Sequence, residues 1–271
     1  MKECPVCHGE KVIFSPGESF VRVQSCSACL PCDNVCGGVG YLFETDELGY
    51  RIAIPCACQR QLKVVSQIRD CKIPSRYYQA TFGRIQVGEG HQDMRSARST
   101  AWRFVREYES GVSGLLFYGP TGTDKTLLAV ALLRYLLVER QIRCRFVEFM
   151  QLLSTLRRSY EGEGRAASVM KPLVDIPVLV IDELGKGRGS DWELSVLDEL
   201  ISQRYNAQKT TIFTTNYSLD SEGARVANAP DSVAITDRLI DRVGVRIYSR
   251  LMEMCKPVRL CGQDFRRQRA L

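Results

Sequence analysis

One short segment limits what this chain can fold into more than any other feature. It consists of Gly119, Pro120, Thr121, Gly122, Thr123, Asp124, Lys125 and Thr126, and it joins a short apolar strand to an apolar helix predicted from Thr126 to Glu139. This is the context of a Walker A loop, in which backbone N–H groups and a helix N-terminus surround phosphates. The lysine then contacts the phosphate oxygens, and the threonine hydroxyl ligates Mg²⁺. The segment predicts an ATP site with all eight residues in contact with the nucleotide.

The loop departs from the motif at one position. Asp124 stands where the motif has glycine, immediately before the lysine. A side chain there intrudes on the approach of backbone to phosphate, and its carboxylate repels the phosphate charge. Two interpretations follow. Asp124 either turns outward and weakens binding slightly, or it impairs nucleotide binding, and we favour impairment slightly.

The other half of an ATPase site is predicted about sixty residues further on. Val178–Ile181 is an apolar segment of the fully buried strand type, and Asp182 and Glu183 follow it. This order matches a Walker B segment, where the aspartate holds Mg²⁺ and the glutamate activates the attacking water. Asn216 follows the next predicted strand, Thr211–Thr214. Because parallel strands end at one edge of the sheet, Asn216 is a candidate for positioning that water, although a turn-forming asparagine is an equal alternative on its own.

Strands and helices alternate through the second half of the chain. Further strands are predicted at Leu115–Tyr118, Arg143–Glu148 and Val258–Cys261, with helices between them. Buried apolar strands that alternate with helices predict an α/β fold, a three-layer αβα P-loop core around a parallel sheet.

Cysteines are concentrated at the amino-terminal end, where eight of the twelve precede residue 59. The sequence begins with no apolar signal segment, so clustered thiols indicate metal ligands rather than disulfides. Cys4, Cys7, Cys26 and Cys29 form two C-x₂-C pairs with the spacing of a zinc ribbon. A second Zn²⁺ site with less regular spacing is predicted from Cys32, Cys36, Cys56 and Cys58. Ligand exchange between the two sets, or ligation by His8, remains open.

Charge divides the chain in the same way. Residues 1–58 contain four basic and seven acidic residues, 59–110 contain ten and five, and 238–271 contain nine and three. We therefore predict an acidic zinc-binding module over 1–58, a basic linker and helix over 59–110, and the ATPase core over 111–271. Within the linker, Arg76–Phe82 is predicted to be an extended arm. No apolar run reaches the length of a membrane span, so we expect a cytoplasmic protein without a membrane partner.

Several segments between Ile73 and Arg267 resemble the helicase-loader branch of the AAA+ ATPases. This is the DnaC/DnaI-like group, to which the IstB-like transposition ATPases are related. Besides the Walker motifs, the resemblance rests on five segments: Ile73–Tyr77, Ala80–Phe82, Thr214–Tyr217, Ile247–Leu251 and Asp264–Arg266. It implies an oligomeric ATPase that binds single-stranded DNA and delivers a replicative helicase. It also implies that Arg250 is an arginine finger for a neighbouring subunit and that Arg266 contacts nucleotide in its own subunit.

Two other functions remain open from the sequence. One is a transposition or phage-replication ATPase that acts on duplex DNA. The other is a nucleotide-impaired adaptor, which Asp124 favours. The acidic, cysteine-rich module is expected to repel DNA and to dock a protein, either a helicase or an initiator, since some loaders carry such a domain. A purely structural zinc clip is the simpler alternative for this module.

Overall fold

The structure is a computed structural model of the chain. It describes residues 4–29, 35–85, 87, 92–161, 166–219 and 237–261. The chain divides into two compact units, Met1–Gln79 with Leu137–Gln141, and Ala80–Leu136 with Ile142–Leu271. In the described part of the chain, no helix has the length and apolar character that a membrane crossing requires.

The first unit contains two antiparallel hairpins and a helix. The hairpins pair β1 (Val12–Ser15) with β2 (Arg22–Ser25), and β3 (Tyr41–Thr45) with β4 (Arg51–Pro55). Helix α1 (Gln59–Cys71) follows and buries a stripe of residues at helical spacing: Gln61, Val64, Val65, Ile68 and Cys71. It ends at Lys72, whose left-handed backbone stops the helix.

The expectation of an extended arm at Arg76–Phe82 is wrong. Short 3₁₀ turns occupy Ser75–Tyr77 and Phe82–Arg84 instead. Pro74 has an extended backbone with φ −61°, and its carbonyl accepts a hydrogen bond from the Tyr77 N–H at 3.0 Å. Proline fixes φ at the value that a following turn needs, so Pro74 favours a turn at this position. The aromatic residues that follow it are typical of strands and led to the prediction of an extended segment.

The second unit is built on a parallel sheet with the strand order β6-β7-β8-β5-β9. The strands are β5 (Gly114–Tyr118), β6 (Cys144–Glu148), β7 (Val178–Asp182), β8 (Thr210–Thr215) and β9 (Cys255–Arg259). The helices are α2 (Gln92–Arg106), α3 (Lys125–Val138), α4 (Phe149–Glu161), α5 (Ala166–Asp175), α6 (Asp191–Asn206), α7 (Leu239–Val243) and α8 (Val245–Met254). Every residue of β7 and β8 is buried. The predicted α/β fold with a parallel sheet is confirmed.

Strand β9 and helix α5 differ from the sequence-based expectation. Strand β9 begins at Cys255, three residues before the predicted start, and pairs with β5 at the edge of the sheet. An edge strand tolerates Pro257, because proline has no N–H and the outer side of an edge strand forms no hydrogen bonds to another strand. The proline is the reason that the start of this strand was not predicted from the sequence. Helix α5 was not predicted, and it contains Pro172, which usually marks a helix boundary.

A buried arginine joins the helices to the sheet. Arg204 on α6 is 1% exposed, and its guanidinium donates to the carbonyls at the end of α5. The acceptors are the carbonyl oxygens of Leu173 at 2.6 Å, Val174 at 3.1 Å, Ile176 at 2.9 Å and Thr210 at 2.6 Å, and Thr211 Oγ1 at 2.9 Å. Carbonyls at a helix C-terminus have no partner within the helix, so a cation that reaches them stabilises the end of α5. Burial lowers the pKa of Arg204 to about 10, which leaves it charged at neutral pH.

Candidate nucleotide and metal sites

The loop Gly119–Asp124 connects β5 to α3, which is the position of a phosphate-binding loop. Gly119 has φ +142°, and a Cβ there would lie 1.9 Å from the Leu260 carbonyl oxygen, so only glycine fits. The Lys125 ammonium donates to the carbonyl oxygens of Gly119 at 2.8 Å and Pro120 at 2.6 Å. Thr123 Oγ1 also donates to Pro120 O, at 2.9 Å. The lysine therefore lies inside the loop, where a phosphate oxygen would compete with these carbonyls for its ammonium.

Asp124 keeps the backbone shape that the motif glycine provides. Its φ is +58°, in the left-handed region, and its carbonyl accepts the Leu128 N–H at 3.0 Å in the first turn of α3. Aspartate is among the few side chains that enter this region, at a cost of about 1 kcal/mol. The loop is thus preserved, and the departure from the motif consists of a half-buried aspartate in place of glycine.

A second group of residues meets Thr126 at the start of α3. Its hydroxyl donates to Asp182 Oδ1 at 2.8 Å, although the two residues are 56 positions apart. Thr214 Oγ1, on the neighbouring strand β8, donates to the same oxygen at 2.5 Å. Asp182 is 2% exposed. A hydroxyl and a carboxylate are oxygen ligands that Mg²⁺ prefers, so the corner formed by Thr126 and Asp182 fits a magnesium ion.

Glu183 follows Asp182 with an unusual backbone and an ion pair. Its φ is +58°, and its N–H donates to Thr214 Oγ1 at 3.0 Å. Its carboxylate oxygen Oε2 accepts from the Lys186 ammonium at 2.6 Å. Hydrogen bonding to Glu183 raises the pKa of Lys186, which keeps the lysine charged. Non-glycine residues in strained backbone regions cluster at functional sites, and Glu183 fits that pattern.

Asn216 lies directly after β8 and is half-buried. The parallel register aligns Ile181 with Phe213, and the Leu184 N–H donates to the Thr214 carbonyl at 2.8 Å beyond it. The ends of the two strands are therefore held together, and Glu183 and Asn216 stand at the same edge of the sheet. Sequence reasoning placed both residues at this edge but missed Thr214, whose position on the strand beside Asp182 was the available signal.

The predicted finger Arg250 is engaged within its own chain. Its guanidinium donates to Asp198 Oδ1 on α6 at 2.7 Å and to Ser202 Oγ. Arg246, one turn earlier on α8, lies 3.4 Å from the other oxygen of Asp198 and is largely exposed. A role for Arg250 in a neighbouring subunit therefore requires it to leave Asp198. Arg266 lies outside the described residues.

The first predicted cysteine set forms a compact cluster of sulfurs. All four Sγ atoms of Cys4, Cys7, Cys26 and Cys29 lie within 4.8 Å of one another, with 3.9 Å between Cys4 and Cys26 and 3.6 Å between Cys7 and Cys29. Thiolates about 2.3 Å from a tetrahedral zinc ion stand about 3.8 Å apart. The cluster therefore has the dimensions of a four-thiolate zinc site. Hydrogen bonds from backbone N–H groups, that of Cys7 foremost, lower the pKa of Cys4 to about 6, whereas hydrogen bonding with Cys4 is the main cause that raises the pKa of Cys29 to about 12.

The second set is brought together in part. Cys36, Cys56 and Cys58 form a buried cluster in which the Cys36 and Cys58 sulfurs are 3.3 Å apart. Hydrogen bonding from the Gly40 N–H is the main cause that lowers the pKa of Cys36 to about 6. Cys32, the predicted fourth ligand, lies outside the described residues. Within those residues no cluster mixes cysteines from the two sets, and His8 belongs to neither cluster.

Comparison with known proteins agrees with this geometry. The family described as IstB-like ATP binding protein matches residues 57–268. The replicative helicase loader DnaC of Escherichia coli strain K12 is 24% identical over 155 residues, which cover 52% of this chain and 63% of that protein. The matched region is thus less than two thirds of the length of that relative.

Solved structures give the same result. The crystal structure of the DnaC helicase loader is 32% identical, with a TM-score of 0.58, and the match covers 68% of this chain and 98% of that one. The crystal structure of DnaI has a TM-score of 0.54 at 22% identity over 71% of this chain and 93% of that one, which supports the fold alone. The chain therefore belongs to the IstB-like ATP-binding family, as a P-loop protein of the DnaC type.

Proposed function

We propose that this chain is an ATP-dependent helicase loader that oligomerises and binds single-stranded DNA. The observation that carries the proposal is the contact of Thr126 with Asp182, because it brings together two oxygen groups of the kind that bind Mg²⁺, next to the phosphate-binding loop. The similarity to the DnaC helicase loader over 98% of that chain supports the choice of a loader among P-loop proteins.

The residues of the site have distinct roles in this proposal. Lys125 exchanges its carbonyl partners for phosphate oxygens, and Thr126 and Asp182 hold Mg²⁺. The bound ion supplies positive charge that neutralises the phosphate oxygens during phosphoryl transfer. Glu183 accepts a proton from the attacking water, and Asn216 orients that water. Arg250 leaves Asp198 to reach the nucleotide of a neighbouring subunit, and Arg266 contacts the nucleotide of its own subunit.

The proposal divides the chain by function at the predicted boundaries. Residues 1–58 bind two zinc ions and dock the helicase or an initiator protein, since two Zn²⁺ with eight thiolates add a formal charge of about −4 to an acidic module that repels DNA. The basic segments 59–110 and 238–271 contact the phosphates of single-stranded DNA. Residues 111–271 bind and hydrolyse ATP.

Measurement of ATP hydrolysis with and without DNA tests this function. We expect single-stranded DNA to stimulate hydrolysis more than duplex DNA does, and the full chain to co-purify with the replicative helicase of the same cell. Cys7→Ser is expected to weaken helicase binding while leaving ATP binding unchanged. Preference for duplex DNA and a transposase would instead support the transposition ATPase, which the family match also accommodates.

A second candidate function rests on Asp124. Its carboxylate stands in the phosphate-binding loop, which favours an adaptor that holds partners together without turning over ATP. An adaptor would bind helicase and DNA normally but show no DNA-stimulated hydrolysis. Hydrolysis that appears only in Asp124→Gly would identify the chain as an adaptor with an otherwise intact site.

A further inference from the structure

An arginine on the short helix α7 connects the two loops that leave the proposed catalytic edge. Arg242 Nε donates to the Gly185 carbonyl at 3.0 Å, and its Nη2 donates to the Gly187 carbonyl. Its guanidinium also lies over the Tyr217 ring, with Cζ 5.3 Å from the ring centroid. Gly185 and Gly187 follow β7, whereas Tyr217 follows β8. One side chain therefore contacts both segments just beyond the strands.

The surrounding backbone fixes α7 in this position. The Ser218 N–H donates to the Asp237 carbonyl at 3.0 Å, and the Leu239 N–H donates to the Ser218 carbonyl at 2.8 Å. Leu239 and Val243 of α7 are 0% and 2% exposed, so the helix is anchored on its apolar side as well. Arg242 thus extends from a helix that is buried on one side and hydrogen-bonded to Ser218 at its start.

The fit around Gly185 shows how closely these groups approach. Gly185 has φ +87°, and a Cβ there would lie 3.0 Å from the Tyr217 ring and 3.3 Å from the Arg242 Cβ. Only glycine combines this backbone with this packing. The ring, the guanidinium and the loop backbone are therefore in direct contact, without space for another side chain.

The two carbonyls that Arg242 holds lie on either side of Lys186. The Lys186 ammonium is 2.6 Å from the Glu183 carboxylate. The backbone N–H of Lys186 donates to the Glu183 carbonyl at 3.2 Å and closes a tight turn. Because Lys186 belongs to the loop 184–187, the backbone conformation of this loop determines where the lysine holds the Glu183 carboxylate. Tyr217, the third group that Arg242 contacts, is the residue next to Asn216.

We propose that Arg242 is a positioning residue for ATP hydrolysis, which sets the Glu183 carboxylate and the Asn216 amide relative to each other through the loops it contacts. This inference rests on the proposed ATPase function. Arg242 itself does not contact the nucleotide or the attacking water; it acts through Gly185, Gly187 and Tyr217. Its loss is expected to change the rate of the chemical step and to leave ATP binding unchanged, because the phosphate-binding loop lies outside its contacts.

The test compares Arg242→Met, Arg242→Lys and the control Arg158→Met, each in the unsubstituted chain and in Asp124→Gly. Arg158 lies at an exposed position of α4, where its Nε donates to the Ser154 carbonyl at 3.3 Å. For Arg242→Met we expect kcat to fall by at least about tenfold with KM within about twofold, since small misplacements of catalytic groups have effects of this size. Hydrogen exchange of the amides at 184–189 should become faster. Arg242→Lys should recover part of kcat, because an ammonium can still donate to one carbonyl, and Arg158→Met should match its parent.

The possible results separate this inference from the function on which it rests. Equal kcat for Arg242→Met and a parent that hydrolyses ATP would overturn the inference and leave the ATPase function standing. Unchanged amide exchange at 184–189 would also overturn it, whether or not ATP is hydrolysed. A joint loss of kcat and ATP affinity would point to general disruption of the fold and contradict the positioning role. If neither parent binds or hydrolyses ATP, the proposed function fails and the inference fails with it.

Discussion

The Thr214 hydroxyl on β8 donates a hydrogen bond to the Asp182 carboxylate on the neighbouring strand β7, with 2.5 Å between the two oxygens. The same hydroxyl oxygen accepts the Glu183 N–H at 3.0 Å. One side chain thus holds both the carboxylate proposed to bind magnesium and the backbone of the residue proposed to activate water. Because Asp182 is almost fully buried, this hydroxyl also satisfies a charge that would otherwise be costly to desolvate.

The first prediction concerns Thr214. Thr214→Val keeps the shape of the side chain but removes the donor to Asp182 and the acceptor for Glu183. We expect a loss of about 1–3 kcal/mol in the free energy of unfolding, as is typical when a buried polar group loses its partner. Urea titration measures this, and Thr155→Val is the control, because its hydroxyl bonds to Gln151 O on the exposed side of α4. Equal stabilities of Thr214→Val and the parent would contradict the role given to this hydroxyl.

Arg204 gives a prediction about stability alone. Arg204→Met fills similar space but leaves the carbonyls of Leu173, Val174, Ile176 and Thr210 without the guanidinium, so we expect a loss of at least about 1–3 kcal/mol, the cost of one buried acceptor without a partner. Arg158→Met, on an exposed face, should stay within about 0.5 kcal/mol of the parent.

The pH dependence of this effect follows from the sign of the pKa shift. Burial lowers the pKa of Arg204 from its ordinary value to about 10, so the unfolded chain binds more protons only between those two pKa values. The contribution of Arg204 to stability then rises with pH in that window. Below it the residue is charged in both states, and the difference between parent and Arg204→Met should be constant from about pH 6 to about pH 9. A difference that varies strongly in that range would show that another group is involved.

Zinc content tests the cysteine clusters. Two ions per chain are expected from metal analysis of the purified protein, and Cys7→Ser should lower the content by about one, because three ligands hold structural zinc much less tightly than four. Cys32→Ser should have the same effect if Cys32 completes the set of Cys36, Cys56 and Cys58. Cys261→Ser is the control, since Cys261 accepts a hydrogen bond from Arg259 and belongs to neither cluster. Full zinc content in Cys7→Ser would exclude the first site.

The finger role of Arg250 predicts complementation between subunits. Lys125→Ala removes the nucleotide site, and Arg250→Ala removes the finger, so each variant alone should be inactive. In a mixture, an intact Arg250 from one subunit can meet an intact loop in its neighbour, and part of the hydrolysis should return. Hydrolysis by Arg250→Ala alone would show that Arg250 is not needed for hydrolysis. No recovery in the mixture would indicate that Arg250 acts only within its own chain, where it contacts Asp198.

The parts of the fold that the sequence predicted are those that local patterns specify. The spacing from Gly119 to Thr126 requires a strand before it and a helix after it, and the apolar run before Asp182 requires a buried strand. Parallel strands bring their carboxyl ends to one edge, which predicts that Thr126 and Asp182 approach each other, as they do. Cysteine spacing likewise predicted the cluster that contains Cys4 and Cys26.

The remaining features depend on contacts between residues that carry no motif. In the sequence, Arg250 cannot be distinguished from an ordinary exposed arginine, because its partner Asp198 lies on a different helix, α6. No motif in the sequence predicts the ion pair between Lys186 and Glu183. Arg242 acts on backbone carbonyls, which every residue possesses, so no pattern of side chains can reveal its partners. Such interactions follow from the packing of helices on the sheet, which the sequence specifies only through the whole fold.

Asp124 provides the most direct test of the central claim, that this loop and its metal corner bind ATP. Equilibrium titration with ATP and Mg²⁺ should show affinity at least about tenfold tighter in Asp124→Gly than in the unsubstituted chain, because a carboxylate that repels the phosphates is removed. Stability should change by less than about 1 kcal/mol, since relief of the left-handed backbone offsets the greater freedom of glycine when unfolded. Adding Lys125→Ala to Asp124→Gly should abolish binding. Undetectable binding by Asp124→Gly, or binding that survives Lys125→Ala, would contradict the account.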